Sequence, residues 1–155
     1  MSAKRTSTKS KALKVILVDD DEDDRIMFAE VINKCGIDTE LKLLSNGKEL
    51  MEQLDNKERP LPDLIFLDLN MPVLNGSECL QLIRNKEHFD QINVAIYSTS
   101  KSQKHIEQTF IDGANIFITK PHSINKLHEV IKKVLSLNWQ YHTSNLDRKN
   151  FLLNI

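Results

Sequence analysis

Two apolar runs in this chain end in carboxylates. Val15-Ile16-Leu17-Val18 leads straight into Asp19 and Asp20, and Leu64-Ile65-Phe66-Leu67 leads straight into Asp68. Short runs of branched and aromatic residues read as buried strands, which commonly end in turn residues instead. If the two strands are parallel neighbours, their terminal carboxylates converge at one edge of a sheet. Converging carboxylates repel one another, and such a cluster is costly unless a cation sits among them. Mg2+ takes oxygen ligands and keeps several waters, so two carboxylates, a backbone carbonyl and a phosphoryl oxygen would suffice. The pattern points to a Mg2+ site containing a nucleophilic or acceptor carboxylate.

Asp19 to Asp24 form six consecutive acidic residues. Carboxylates at a helix N-terminus cap it and complement its dipole, which accounts for Asp21 to Asp24. It does not account for Asp19 and Asp20, which directly follow the strand. Two further residues belong to the same edge. Ser98 ends the run Val94-Ala95-Ile96-Tyr97 and has a hydroxyl for a phosphoryl oxygen, although Thr99, Ser100 and Ser102 are equally able to cap the next helix. Lys120 ends another short run and precedes Pro121. A lysine aimed into an acidic pocket offsets carboxylate charge and pairs with incoming phosphate.

The elements that must position these groups alternate. Strands are expected at 14–18, 39–44, 63–67, 93–97 and 115–118. Between them, apolar residues recur at helical spacing: Met27, Phe28, Val31, Ile32 and Cys35 before Gly36; Leu50 and Leu54 before Pro60 and Pro62; Cys79, Leu80, Leu82 and Ile83; Ile106, Phe110 and Ala114 around Gly113; and Leu127, Val130, Ile131, Val134 and Leu135. Five strands alternating with five helices predict an α/β fold, a parallel sheet with helices on both faces. Ligands of such sheets bind beyond the carboxyl ends of the strands, where Asp19, Asp20 and Asp68 lie.

Composition bounds the rest. The chain has 155 residues, 40% hydrophobic and 28% charged, enough for one domain with a sizeable core. The net charge of −1 provides no global basic field for nucleic acid. Cys35 and Cys79 lie far apart on apolar helical faces and read as buried, reduced thiols. No apolar run has the length of a membrane span and no signal-peptide core follows Met1, so a cytoplasmic location is expected. Three segments are expected: a disordered basic leader at 1–12, one domain at 13–137 and a short C-terminal extension at 138–155. The extension carries Trp139 and a terminal apolar cluster, suited to folding back on the domain or to a partner contact.

The ordered marks Val18-Asp19-Asp20, Asp68, Met71-Pro72, Gly76, Ser98, Asp112-Gly113-Ala114 and Lys120-Pro121 resemble the receiver domain of two-component response regulators, over about residues 13–136. The acidic string at 19–24, Ser98-Thr99-Ser100 and Trp139 look most like the single-domain subgroup associated with phytochrome-type and other hybrid sensor kinases. The resemblance implies a flavodoxin-like (βα)5 fold with strand order 2-1-3-4-5. It implies Asp68 as phosphoacceptor, Asp20 as direct Mg2+ ligand, Asp19 as a ligand mainly through water and Asn70 as donor of a backbone carbonyl. Lys120 would contact the phosphoryl group, across a cis bond to Pro121, and Ser98 would hydrogen-bond it. Phe117 holds the place of the switch aromatic, which turns inward as Ser98 moves. Asn70 and Ser100 occupy the positions that tune dephosphorylation.

The implied protein is a phosphoacceptor rather than a turnover enzyme, catalysing its own phosphorylation and slow dephosphorylation. Its donor is a sensor histidine kinase or histidine phosphotransfer protein. Its output is a changed face formed by the fourth helix, fifth strand and fifth helix, read by a protein target, with no direct nucleic-acid or membrane contact. A homodimer through that face and Trp139 is an accompanying hypothesis. Haloacid-dehalogenase-type hydrolysis would need a second Asp where Asn70 stands. A flavodoxin-like nucleotide site would need a Gly/Ser/Thr-rich phosphate loop where the six acids stand. The remaining alternative is a phosphorylation-independent receiver-like protein-binding module.

Overall fold

The computed structural model describes residues 12–137 and the short strand Leu152–Leu153. In chain order the elements are β1 (Leu13–Val18), α1 (Glu22–Lys34), β2 (Thr39–Leu44), α2 (Gly47–Asp55), β3 (Leu64–Leu67), α3 (Gly76–Arg84), β4 (Asn93–Ser98), α4 (Gln103–Ile111), β5 (Ile116–Thr119), α5 (Ile124–Leu135) and β6 (Leu152–Leu153). A single 3-10 turn, Glu87–Phe89, precedes β4.

The five expected strands form a parallel sheet in the order β2-β1-β3-β4-β5, and β6 adds a sixth, parallel strand beside β5. β6 lies within the expected extension, pairing Leu152 with Phe117 and Leu153 with Ile118. Trp139 lies outside the described residues.

Continuous apolar runs form the central strands because both sheet faces are covered. Val15 and Leu17 of β1 pack with Phe28, Val31 and Ile32 of α1 and with Leu127, Val130, Ile131 and Val134 of α5. Ile16 and Val18 face the other side, with Leu50 and Leu54 of α2 and Cys79, Leu80 and Ile83 of α3. Both cysteines are buried free thiols. Each α-helix starts at a side-chain cap, from Asp21, Asn46, Asn75, Ser102 and Ser123 respectively. α1 stops where Gly36 takes φ +76°, a left-handed conformation that costs glycine nothing.

One pairing matters most for function. β1 lies directly beside β3, with Val18 opposite Leu67. The residues that follow, Asp19 and Asp68, therefore emerge side by side.

A candidate phosphoacceptor and metal site

Asp19, Asp20 and Asp68 converge as the strand register requires. Each brings a carboxylate oxygen within 4.8 Å of the others. Two ligands on opposite sides of one Mg2+ are about 4.2 Å apart, so a slight drawing-in of the three oxygens would let them share one small hard cation. Asp19 and Asp68 are buried, and Asp20 is exposed.

Lys120 reaches into this group from the end of β5. Its Nζ lies 2.7 Å from Asp19 Oδ2, 2.9 Å from Asp24 Oδ2 and 3.4 Å from Asp68 Oδ2, and its side chain is only 10% exposed. Burial alone would lower the ammonium pKa. Its hydrogen bonds to Asp19 and Asp24 and the charge of Asp68 outweigh burial and raise it. One cation faces several carboxylates, and the imbalance falls on Asp68. Burial pushes its carboxyl up to about 6, Lys120 opposes the rise and the charge of Asp19 adds to it. A divalent cation would relieve that strain, and every donor present is the hard oxygen that Mg2+ or Mn2+ prefers.

The remaining partners are local. Asp19 Oδ1 accepts the N–H of Asp21 at 3.0 Å, and its backbone carbonyl accepts from the Arg25 guanidinium at 2.7 Å. Asp68 Oδ1 accepts the N–H of Asn70 at 3.2 Å. Ser98 is fully buried at the end of β4, and its Oγ accepts the N–H of Ser100 at 3.1 Å. The β4 and β5 ends are tied together where the Lys120 N–H donates to the Ser98 carbonyl at 2.8 Å.

Asp24 has a role that sequence reasoning missed. It reads as a dipole-complementing residue, yet it is one of the three carboxylates on Lys120. The available signal was the excess of acids in the block; the helix face that Asp24 occupies was not legible. Arg25, which clamps the Asp19 carbonyl, was missed too. So was Tyr97, whose ring centre lies 5.3 Å from Lys120 Nζ.

One expectation needs correcting. The Lys120–Pro121 peptide bond is trans, not cis. Trans is the cheaper isomer, and the lysine's direction is held by the carboxylates it reaches. Phe117, the expected switch aromatic, is fully buried, packed on the α2/α3 side of the sheet.

The loop after Asp68 is unusually tight. A Cβ on Gly76 would lie 2.2 Å from the Asp68 carbonyl oxygen and 2.8 Å from Leu69 Cα, so only glycine fits without moving that backbone. Val73 takes φ +71°, strained for a β-branched residue, where the Leu74 N–H donates to the Pro72 carbonyl at 2.8 Å.

The model of the response regulator receiver domain matches residues 15–132. The chain belongs to the response regulator receiver family. Within that family it is 30% identical over 126 residues to response regulator Rcp1 of Synechocystis sp., an alignment covering 79% of this chain and 86% of Rcp1. The crystal structure of the Mn(2+)-bound form of Rcp1 superposes with TM-score 0.74 at 27% identity, covering 83% of this chain and 96% of that one. The phosphorylated cyanobacterial phytochrome response regulator RcpA superposes with TM-score 0.75 at 28% identity, covering 84% and 96%. The chain is thus a two-component signalling receiver with the flavodoxin-like fold. Among the described residues, no helix is long and apolar enough to cross a membrane.

Proposed function

We propose that Asp68 is the phosphoacceptor of this receiver and takes a phosphoryl group from a phosphohistidine on a sensor kinase or phosphotransfer protein. The observation that carries the reading is Lys120 Nζ, held between Asp19, Asp24 and Asp68 beside the three clustered carboxylates. Rcp1 binds Mn2+ and RcpA is phosphorylated, each in its own crystal structure. Mg2+ is the proposed ion here.

Asp20, Asp68 and the Asn70 carbonyl would hold the ion directly. Asp20 has no hydrogen-bond or ion-pair partner among the described residues, which leaves its carboxylate free to ligate. Asp19 already has a partner on each oxygen, which supports contact through water. When bound, the ion supplies charge neutralisation for the phosphoryl oxygens.

The chain's own residues account for the rest. An Asp68 oxygen attacks phosphorus in line, the P–O bond forms as the P–N bond to the donor histidine breaks, and the electron pair leaves with the imidazole. The transition state spreads charge over three equatorial oxygens, so positioning and charge do most of the work. Lys120 pairs with one of those oxygens, exchanging its long Asp68 contact for it. The Ser98 hydroxyl can donate to another, since its bond from Ser100 uses only a lone pair. Product release is slow hydrolysis of the acyl phosphate, tuned by Asn70 and Ser100. Residues 13–137 are the proposed functional unit, acting in the cytoplasm on a protein target. Switching biases two packings of the α4-β5-α5 face. The proposed homodimer uses the same face.

Intact-protein mass spectrometry after incubation with acetyl phosphate tests this. A Mg2+-dependent phosphoryl adduct is expected on the wild type and not on Asp68→Asn. No adduct from acetyl phosphate or from a phosphohistidine donor, together with no Mg2+ binding, would overturn the reading in favour of a phosphorylation-independent binding module.

A further inference from the structure

The segment from Ser98 to α4 contains a serine at every second position. Each of these serines accepts a hydrogen bond from a backbone N–H further along. Ser98 Oγ accepts from Ser100 N at 3.1 Å, Ser100 Oγ from Ser102 N at 3.2 Å and Ser102 Oγ from His105 N at 3.4 Å. The last is long and weak. A second link bypasses it: Ser100 Oγ lies 2.8 Å from Nδ1 of His105, in the first turn of α4. Ser100 is therefore the branch point, joined backward to the buried Ser98 hydroxyl and forward to the helix by its strongest contact.

One observation makes this chain consequential. α4 is loosely anchored: Thr109 is its only buried residue, whereas α5 buries five, and Ile111 at its end is 72% exposed. A helix with few buried contacts is the element most easily displaced.

We propose that the chain Ser98–Ser100–His105 couples the acceptor pocket to α4, with His105 as a positioning residue that makes the helix follow Ser98. The proposal rests on the reading of Asp68 as phosphoacceptor. Inward movement of Ser98 carries the Ser100 N–H with it, because their bond is local. The Ser100 hydroxyl then draws the His105 ring and the first turn of α4. Without the ring, loop and helix keep the long Ser102 side-chain cap and the bond from the Ile106 N–H to the Ser102 carbonyl at 3.0 Å, neither of which reaches Ser100.

The experiment follows amide hydrogen exchange of residues 103–111 in the full chain with Mg2+, before and after addition of beryllofluoride, a phosphoryl mimic. Acetyl phosphate adducts are measured in parallel by mass. The wild type is expected to change its α4 exchange. His105→Ala is expected to accept the phosphoryl group like the wild type while its α4 response falls about 5-fold or more, the low end of ordinary coupling energies. His105→Asn, which keeps a hydrogen-bonding atom at the place of Nδ1, is expected to restore the response. A wild-type response in His105→Ala overturns the proposal. So does failure of His105→Asn to restore it, since the effect is then general loosening of the helix. No α4 response in a wild type that does form the adduct overturns the coupling alone. No adduct on the wild type from acetyl phosphate or from a phosphohistidine donor, together with no Mg2+ binding, overturns the acceptor reading and the coupling with it.

Discussion

Asp68 carries the electrostatic cost of this site. Its carboxyl is held at about 6, against an ordinary 3.8, mainly by burial. The native chain therefore binds a proton in a range where the unfolded chain has released it. Protonation favours the native state, so the metal-free protein loses stability as pH rises from about 4 through about 6. Asp68→Asn removes the charge and keeps the shape. In chelator at pH 8 the variant is expected to melt about 3–6 °C above the wild type, equivalent to about 1–2 kcal/mol. At pH 5 the gain should shrink, because the wild-type carboxyl is by then largely protonated. Thermal denaturation at the two pH values checks this. An equal gain at both would mean that the Asp68 charge is not the cause. The same scale shows where sequence reasoning stopped. Asp19, Asp20, Asp68, Ser98 and Lys120 were legible because each ends a strand, a position readable from a local apolar run. Asp24 and Arg25 were not, because a role on a helix depends on which face meets the sheet edge.

At the scale of the element, the loop between β3 and α3 sets the place of Asp68. Gly76 lets α3 start directly against the Asp68 carbonyl, where a Cβ would meet backbone rather than a flexible side chain. Gly76→Ala must push that backbone aside. The expected cost is about 1–3 kcal/mol of stability, typical of overpacking. A fall of about 10-fold in divalent-cation affinity is expected too, since a displaced support misplaces the ligand. Chemical denaturation and a Mg2+ titration followed by near-site fluorescence or calorimetry separate the two effects. Unchanged affinity would show that the loop does not hold Asp68 in position. The strand bounds were readable to within a residue, whereas Ala114, read with the fourth helix, lies beyond its end at Ile111. The strained φ of Val73 was not readable, because nothing local announces a β-branched residue in a left-handed turn.

At the scale of the molecule, one half-buried arginine joins parts that the sheet does not. Arg84, at the end of α3, donates to the carbonyls of Gly113 at 2.9 Å, Phe89 at 3.2 Å and Ile92 at 2.8 Å, and to Asn115 Oδ1 at 3.0 Å. Asn115 Oδ1 also accepts the Val94 N–H at 2.8 Å. The fork ties α3 to the entrances of β4 and β5, the strands that carry Ser98 and Lys120 at their far ends. Arg84→Lys supplies a point charge without the fork and leaves carbonyls unmet. It is expected to lose about 2–3 kcal/mol in urea unfolding while keeping a phosphoryl adduct on Asp68. Near wild-type stability would show that water replaces the fork. By itself, the sequence determined the alternation of strands and helices, the parallel sheet and the identity of the groups at its carboxyl edge. These are properties of neighbouring residues: apolar runs, helical spacing and caps. Only the tertiary structure decided who meets whom. Lys120 and Asp19 are 101 residues apart in the chain, and their 2.7 Å contact exists because β1 and β3 pair and β5 ends on the same edge. The third carboxylate on Lys120 and the sixth strand beside β5 are likewise consequences of packing.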